Sequence, residues 1–187
     1  MCSTLFLACA GAQAVTVFSD DFEADTPKLN QFVFVNGWTV TDGSVDVVHN
    51  FGGIPGNTVD LDGSTSDAGL FTKSLSLMAG AEYTVSFLIH GSRRGGSDNV
   101  TVSLGSASSV LSLASGDTVN GSFTFTPGAS QSYDLSFDNA GGDNVGALLK
   151  NVAVTTAIPE PQTYALMLAG LTAVGVAARR RASRASR

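Results

Sequence analysis

The sequence predicts an all-β domain, a jelly roll or β-sandwich, followed by a single C-terminal transmembrane helix. Apolar and polar residues alternate in short segments, most clearly over 83–89, 100–104 and 122–126, which is the period of a half-buried strand. Residues that favour turns separate these segments, and no long helical periodicity interrupts them. A charge-free apolar run near the C-terminus is followed by arginines, which is typical of a membrane span with a cytoplasmic end.

The N-terminal residues 1–14 resemble a secretory signal peptide. They are small and apolar and end in Ala12-Gln13-Ala14, an A-x-A cleavage pattern. A basic n-region is missing, so we expect the true start codon to lie upstream. Cys9 would suit a lipoprotein, but Phe6-Leu7-Ala8 is a poor lipobox. We therefore predict an ordinary signal peptide over 1–14 and a globular domain over 15–157.

The globular domain is predicted to consist of short strands joined by tight turns. Turn signals rich in Gly, Asp, Asn and Pro recur throughout it, as they do in sandwiches and jelly rolls. The predicted strands are 15–18, 31–35, 38–48, 58–61, 69–77, 83–89, 100–104, 122–126, 131–137 and 146–155.

Charge and cysteine content limit the possible partners. Fifteen of the sixteen acidic residues precede Pro159, but only five of the ten basic residues do, so this part has a formal charge of −10. Nucleic acids and anionic membranes are poor partners for such a domain, whereas neutral glycans or calcium suit it better. The acidity also has a simpler interpretation, solubility alone. Both cysteines, Cys2 and Cys9, lie in the signal peptide, so no disulfide can stabilise the mature domain.

The C-terminal region has three parts with distinct physical roles. Pro159, Glu160 and Pro161 favour an extended, accessible backbone. The run 162–178 carries no charge and would form a helix of about 25 Å, at the short end of what crosses a bilayer. The basic tail 179–187, with Arg179, Arg180 and Arg181 at its start, is expected in the cytoplasm. A plain membrane anchor and a soluble helix are the alternatives.

This Pro-Glu-Pro box, apolar span and arginine-rich end resemble the PEP-CTERM sorting signal of Gram-negative bacteria. The resemblance implies that 158–187 is recognised and processed by a membrane-embedded exosortase. It further implies export by the secretion machinery, an inner-membrane-anchored precursor, and delivery to the cell surface or extracellular matrix. It indicates where the protein goes rather than what it does there.

The order of segments from 18 to 155 resembles galactose-binding-like jelly rolls, a class that includes many carbohydrate-binding modules. The resemblance is carried by Asp21-Phe22-Glu23, 37–40, 56–63, 81–87 and 143–152. In that class a structural calcium often joins the first and last strands, and Glu23 matches one of its carboxylates. Lys150 stands where the second carboxylate is expected, and an ammonium repels calcium. An ion pair between Lys150 and Glu23 is the alternative.

Further candidate sites are acidic or cationic loops. Asp138 and Asp143 belong to an oxygen-rich loop, and Asp60-Leu61-Asp62-Gly63 begins like a calcium loop. Tight turns require the same residue types, so turn formation is the competing interpretation for both.

Arg93 and Arg94 are the paired cations of the domain and would suit an acidic polysaccharide, or they serve as solvated charges beside apolar strands. Trp38 is either a sugar-stacking platform or a core residue. The histidines, His49 and His90, have no metal-ligand spacing.

No catalytic pattern stands out in the sequence, which contains no G-x-S-x-G and no H-E-x-x-H motif. We therefore expect a non-enzymatic structural or binding component at the surface or in a biofilm matrix, in contact with exopolysaccharide and without a cofactor. The first alternative is a specific carbohydrate-binding module. The second is a small secreted esterase or glycoside hydrolase with its chemistry in the loops.

Overall fold

The computed structural model describes residues 13–65, 67–158 and 167–175. A compact unit over Thr16–Thr156 contains a β-sandwich. The remaining described residues, at the two ends of the chain, belong to a second unit. The described strands are numbered here in chain order from β1 to β12.

One layer of the sandwich is a seven-stranded sheet with the order β10-β7-β12-β5-β4-β2, in which β1 also pairs with β12. The strand β12 is therefore central, and it is antiparallel to both β7 and β5. Its ladder shifts register at Lys150, which is a bulge. The strands are β1 (Gln13–Asp20), β2 (Lys28–Gln31), β4 (Val45–His49), β5 (Asn57–Asp60), β7 (Tyr83–His90), β10 (Thr118–Phe125) and β12 (Leu148–Ile158).

The second layer is a five-stranded sheet with the order β3-β6-β11-β8-β9, and each of its strand pairs is antiparallel. Its outward positions carry mainly hydroxyl, amide and carboxylate side chains, and Ser103 and Ser136 share a hydrogen bond of 2.7 Å there. The strands are β3 (Thr39–Thr41), β6 (Leu70–Leu77), β8 (Ser97–Leu104), β9 (Ala107–Ala114) and β11 (Gln131–Asn139).

The core is formed by alternate residues of both sheets. In β8, for example, positions 98, 100, 102 and 104 are buried, as expected when one face of a strand is covered. Complete burial of a single Val, Leu or Phe side chain contributes about 1.5–3 kcal/mol. The largest fully buried side chains are Phe22, Phe71, Phe137, Leu61, Ile89, Leu104, Leu113, Leu135, Leu148 and Leu149.

The all-β prediction is confirmed, but two predicted strand assignments are corrected, and one edge strand was missed. The segment 38–48 forms two strands in different sheets, because the chain turns at Asp42 and Gly43, both with positive φ. Of 31–35, the structure assigns only residue 31 to a strand. The edge strand β9 was not predicted, since it is only partly buried and has no clean apolar alternation.

The C-terminal part of the structure contains a helix over residues 167–175. Within the described residues no helix has the length and apolar character that crossing a bilayer requires. The predicted span 162–178 extends on both sides beyond the described helix. The predicted signal peptide up to residue 12, the Pro-Glu-Pro box and the arginine tail lie outside the described residues.

Candidate functional sites

Trp38 lies in the core, where it is 2% exposed. Its ring stacks on Phe71 with centroids 4.2 Å apart and an interplanar angle of 9°. Its indole Nε1 donates a hydrogen bond of 2.8 Å to Asp20 Oδ2, which satisfies the one polar atom of the ring. The structure therefore assigns Trp38 to the aromatic core, and no face of the ring is open for a sugar to stack on.

Glu23 and Lys150 form an ion pair at the position where the jelly-roll resemblance implied calcium. Lys150 Nζ lies 2.6 Å from Glu23 Oε1 and donates a second bond of 3.0 Å to the backbone oxygen of Asn57. The backbone amide of Asn57 donates to the same Glu23 oxygen at 3.0 Å. The ammonium and this amide hold the pKa of Glu23 below its ordinary value. A lysine side chain thus contacts the oxygens that a calcium ion would need, and these residues do not fit the metal.

Arg94 is tied to a buried carboxylate. Its Nη2 atom lies 2.8 Å from Asp60 Oδ2, and its guanidinium lies over the Phe51 ring at 5.9 Å. Asp60 Oδ1 accepts backbone hydrogen bonds from Asp62 and Gly146. Burial raises the pKa of Asp60 to about 7, and the Arg94 charge opposes this rise.

Arg93, the preceding residue of the same loop, also makes hydrogen bonds within the domain. Its Nη1 donates to the backbone oxygen of Gly116 at 3.1 Å, and its Nη2 lies 3.5 Å from His90 Nδ1. Its aliphatic stem packs so closely on Gly52 that a Cβ there would lie 2.1 Å from Arg93 Cγ. The predicted pair of cations is therefore held by contacts inside the domain, and about a third of the Arg94 side chain stays exposed.

These arginines lie beside a polar row across the outer face of the seven-stranded sheet. The strand registers align Thr118, His90, Leu148, Asp60 and Asp46 on five neighbouring strands. Residues in one such row point to the same face. Leu148 is fully buried yet is not part of the core cluster. This end of the outer face is thus covered.

The acidic loops 60–63 and 140–147 meet beside this row, since Asp60 Oδ1 accepts hydrogen bonds from the backbone amides of Asp62 and Gly146. Asp62 is 1% exposed, and neither of its carboxylate oxygens has a hydrogen-bond partner. Burial raises the pKa of Asp62 to about 6, and the negative charges of Asp143 and Asp98 contribute to this rise. Asp138, by contrast, is an exposed residue of β11 opposite Thr101 of β8. The three calcium candidates from the sequence, Glu23, Asp138 and Asp143, therefore have three different surroundings.

Within residues 13–65, 67–158 and 167–175, no three His, Cys, Asp or Glu side chains form a group that could hold a metal ion by themselves. The two histidines fit this picture. His49 Nδ1 contacts Asn57 Oδ1 at 2.8 Å, and His90 Nδ1 contacts Thr118 Oγ1 at 2.9 Å. Both make local hydrogen bonds at the ends of strands.

An open cleft of about 410 Å³ lies along β12 and the end of β1. Sequence reasoning did not identify it, because its residues are far apart in the chain and only the fold brings them together. Its side chains offer carboxylate, amide and hydroxyl groups, which match the hydrogen-bonding needs of a sugar. The cleft is lined by Ser19, Asp20, Asp21, Asn36, Asn151, Val152 and Ala153.

Comparison with protein families identifies the C-terminal region. Residues 157–181 match the PEP-CTERM protein-sorting motif. This motif implies an exported protein that exosortase processes, as the sequence predicted. The match begins inside β12, which ends at Ile158. No curated protein matches the sequence.

Solved structures identify the fold of the sandwich. The CBM22-1 xylan-binding domain of Xyn10C from Paenibacillus barcinonensis has a TM-score of 0.58 at 12% identity, covering 81% of this chain and 100% of that one. The CBM22-1–GH10 modules of Clostridium thermocellum Xyn10B, solved with xylohexaose, have a TM-score of 0.53 at 16% identity, covering 78% and 29%. The domain therefore has the jelly-roll fold of these carbohydrate-binding modules. Identities this low establish the fold alone.

Proposed function

We propose that this chain is the precursor of a surface or extracellular-matrix protein that exosortase processes. In this proposal residues 1–14 direct export, 15–157 form the delivered domain and 158–187 form the sorting signal. Residues 162–178 cross the inner membrane, with Arg179, Arg180 and Arg181 on the cytoplasmic side. The observation that supports it best is the sorting-motif match, which begins where the last strand of the sandwich ends.

Replacing Pro159-Glu160-Pro161 with three alanines tests the sorting step. We expect the variant to accumulate in the membrane fraction at the precursor mass, whereas the parent protein is shortened and released. Thr163→Ala, a change just outside the box, is the matched control and should be processed normally. A triple variant with the same mature mass and location as the parent would contradict exosortase processing.

We further propose that the delivered domain is a non-enzymatic component that binds neutral polysaccharide. The cleft beside β12 supports this, because carboxylate and amide groups line it and sugar hydroxyls pair with such groups. The formal charge of −10 before Pro159 disfavours acidic glycans, and the internal contacts of Arg93 and Arg94 give such glycans little to bind.

A glycan array followed by calorimetry tests this binding. Asp21→Ala and Asn151→Ala should each lower the affinity for a glycan that binds in the cleft, since both residues line it. Asp134→Ala, an exposed change on the five-stranded sheet, is the control and should bind like the parent. Equal binding by all three variants would place the glycan elsewhere. Turnover of chromogenic esters or glycosides by the full chain would favour the enzymatic alternative instead.

A further inference from the structure

One carboxylate of the domain, that of Asp62, is buried and accepts no hydrogen bond in the structure. Asp62 is 1% exposed, and both Oδ1 and Oδ2 lack partners. An isolated buried carboxylate is costly, so it must be neutralised by a proton, a partner or a metal ion. Asp60, two residues earlier, is different because Arg94 and two backbone amides satisfy it.

A second carboxylate with an unsatisfied oxygen, that of Asp98, adjoins the 140–147 loop, since the backbone amide of Ala140 donates to the oxygen of Asn99 at 2.8 Å. Asp98 belongs to the inward row of β8, in which its neighbours Val100 and Val102 are fully buried. It is 6% exposed, and its Oδ2 has no hydrogen-bond partner. The carboxylate of Asp98 thus occupies an inward position, while the neighbouring inward positions of the strand are apolar.

Two acidic loops that are distant in sequence meet here. The backbone amide of Leu61 donates to the oxygen of Ala147 at 3.0 Å, and that of Gly146 donates to Asp60. A Cβ at Gly146 would lie 2.8 Å from Asp62 Cβ, so the second loop packs directly on the first. Asp143 lies on this second loop, and its charge raises the pKa of both Asp62 and Asp98.

The local charge is unbalanced. The guanidinium of Arg94 acts on Asp60, Asp62 and Asp98, but it is already paired with Asp60. The ligands available are oxygens alone, which favours a hard cation, and calcium tolerates irregular sets of six to eight oxygens that include water and backbone carbonyls. Magnesium requires a regular octahedron and is disfavoured at the meeting of two loops.

We propose that Asp62 and Asp98 bind a calcium ion at this end of the sandwich, and that the negative charge of the nearby Asp143 strengthens the binding without a third side-chain bond to the ion. Two buried carboxylates supply the fixed ligands, and backbone oxygens and water complete the shell, because no three side chains converge in the described residues. Calcium joins the 60–63 and 140–147 loops to β8. The site is separate from Glu23, where Lys150 already supplies the positive charge.

The test is a thermal melt and calorimetric titration of the full chain at pH 7.5, in calcium or in EDTA. We expect one calcium per chain and a higher melting temperature in calcium, with a smaller effect of magnesium. Asp62→Asn should abolish the shift. Asp143→Asn changes an exposed residue, so it should fold normally and bind calcium on the order of tenfold more weakly or worse.

Asp138→Asn is the matched control, since it removes one negative charge from an exposed strand position nearby in sequence. It should retain the full calcium shift. Equal melting temperatures of the parent in calcium and EDTA would overturn the proposal, as would a full shift in Asp62→Asn. A shift lost equally in Asp138→Asn would indicate general charge screening and overturn it too.

Discussion

Lys150 Nζ lies 2.6 Å from Glu23 Oε1 and 3.0 Å from the backbone oxygen of Asn57. The bulge at Lys150 in β12 directs this side chain out of the regular ladder. The ammonium joins the segment after β1 to the start of β5 and to the last strand. It thereby connects three segments that are far apart in the sequence.

Removal of this ion pair should have a modest effect. Lys150→Met and Glu23→Gln should each lower the unfolding free energy, with a coupling energy of no more than about 1 kcal/mol, because the Glu23 side chain is 43% exposed and solvent screens the charges. Urea denaturation of both single variants and the double variant measures the coupling. High salt should reduce it, and a coupling unaffected by salt would contradict an electrostatic role.

Substitution of Trp38 should be far more costly. Trp38→Ala removes a ring packed on Phe71 and should destabilise the domain by about 3–5 kcal/mol. Trp38→Phe keeps most of the packing but leaves the buried Asp20 Oδ2 without its donor, at a cost of about 1–3 kcal/mol. Denaturation curves measure both.

The emission of the parent protein offers an independent check on Trp38. A buried indole should fluoresce at short wavelength, and added glycans should not quench it by stacking. Direct quenching by a bound sugar would contradict the core position of the ring.

His90 should make stability depend on pH. Burial lowers its pKa below 6.5, and the charges of Arg93 and Lys150 lower it further. Below pH 6.5 the unfolded chain therefore takes up the proton first, so the unfolding free energy should fall by up to about 1.4 kcal/mol per pH unit. Above that pH this histidine contributes no pH dependence.

His90→Gln is the comparison for this effect. The variant should lack this part of the slope, while other titrating groups affect both proteins alike. Urea midpoints of the two proteins at pH 7.5, 6.5 and 5.5 would show it. Parallel pH profiles would rule out a contribution from His90.

Two neighbouring glycines provide a matched pair of substitutions. Gly52 and Gly53 both have positive φ, but a Cβ at Gly52 would overlap Arg93, whereas one at Gly53 meets nothing within 4 Å. Gly53→Ala should cost about 1–2 kcal/mol from backbone strain alone. Gly52→Ala should cost about 1–3 kcal/mol more, because Arg93 must move. Equal melting temperatures of the two variants would show that Arg93 does not pack there.

The sequence predicted most of the fold because strands with one buried face show their alternation directly, as 83–89 does. It did not predict β9, because an edge strand exposes much of both faces and Val110 stays 72% exposed. It joined β3 and β4, since alternation cannot show that a chain changes sheet at Asp42. These errors concern tertiary position rather than local preference.

The candidate site shows the same limit. The sequence offered an ion pair of Lys150 with Glu23 as one of two possibilities, and the structure contains it. The acidic loops could not be combined from the sequence, because more than seventy positions separate Asp62 from Asp143. The sequence did not identify Asp98 as a candidate, because only the burial of its neighbours in the strand reveals that its carboxylate faces inward.

The position at which β12 ends has a consequence for the proposed processing step. Its backbone is paired with β7 up to Thr156 opposite Tyr83, and the strand ends at Ile158, one residue before the Pro-Glu-Pro box. A cut within or beyond that box therefore removes no strand residue. Under the proposed processing, the domain would keep all of its strands, and its melting temperature should equal that of the precursor.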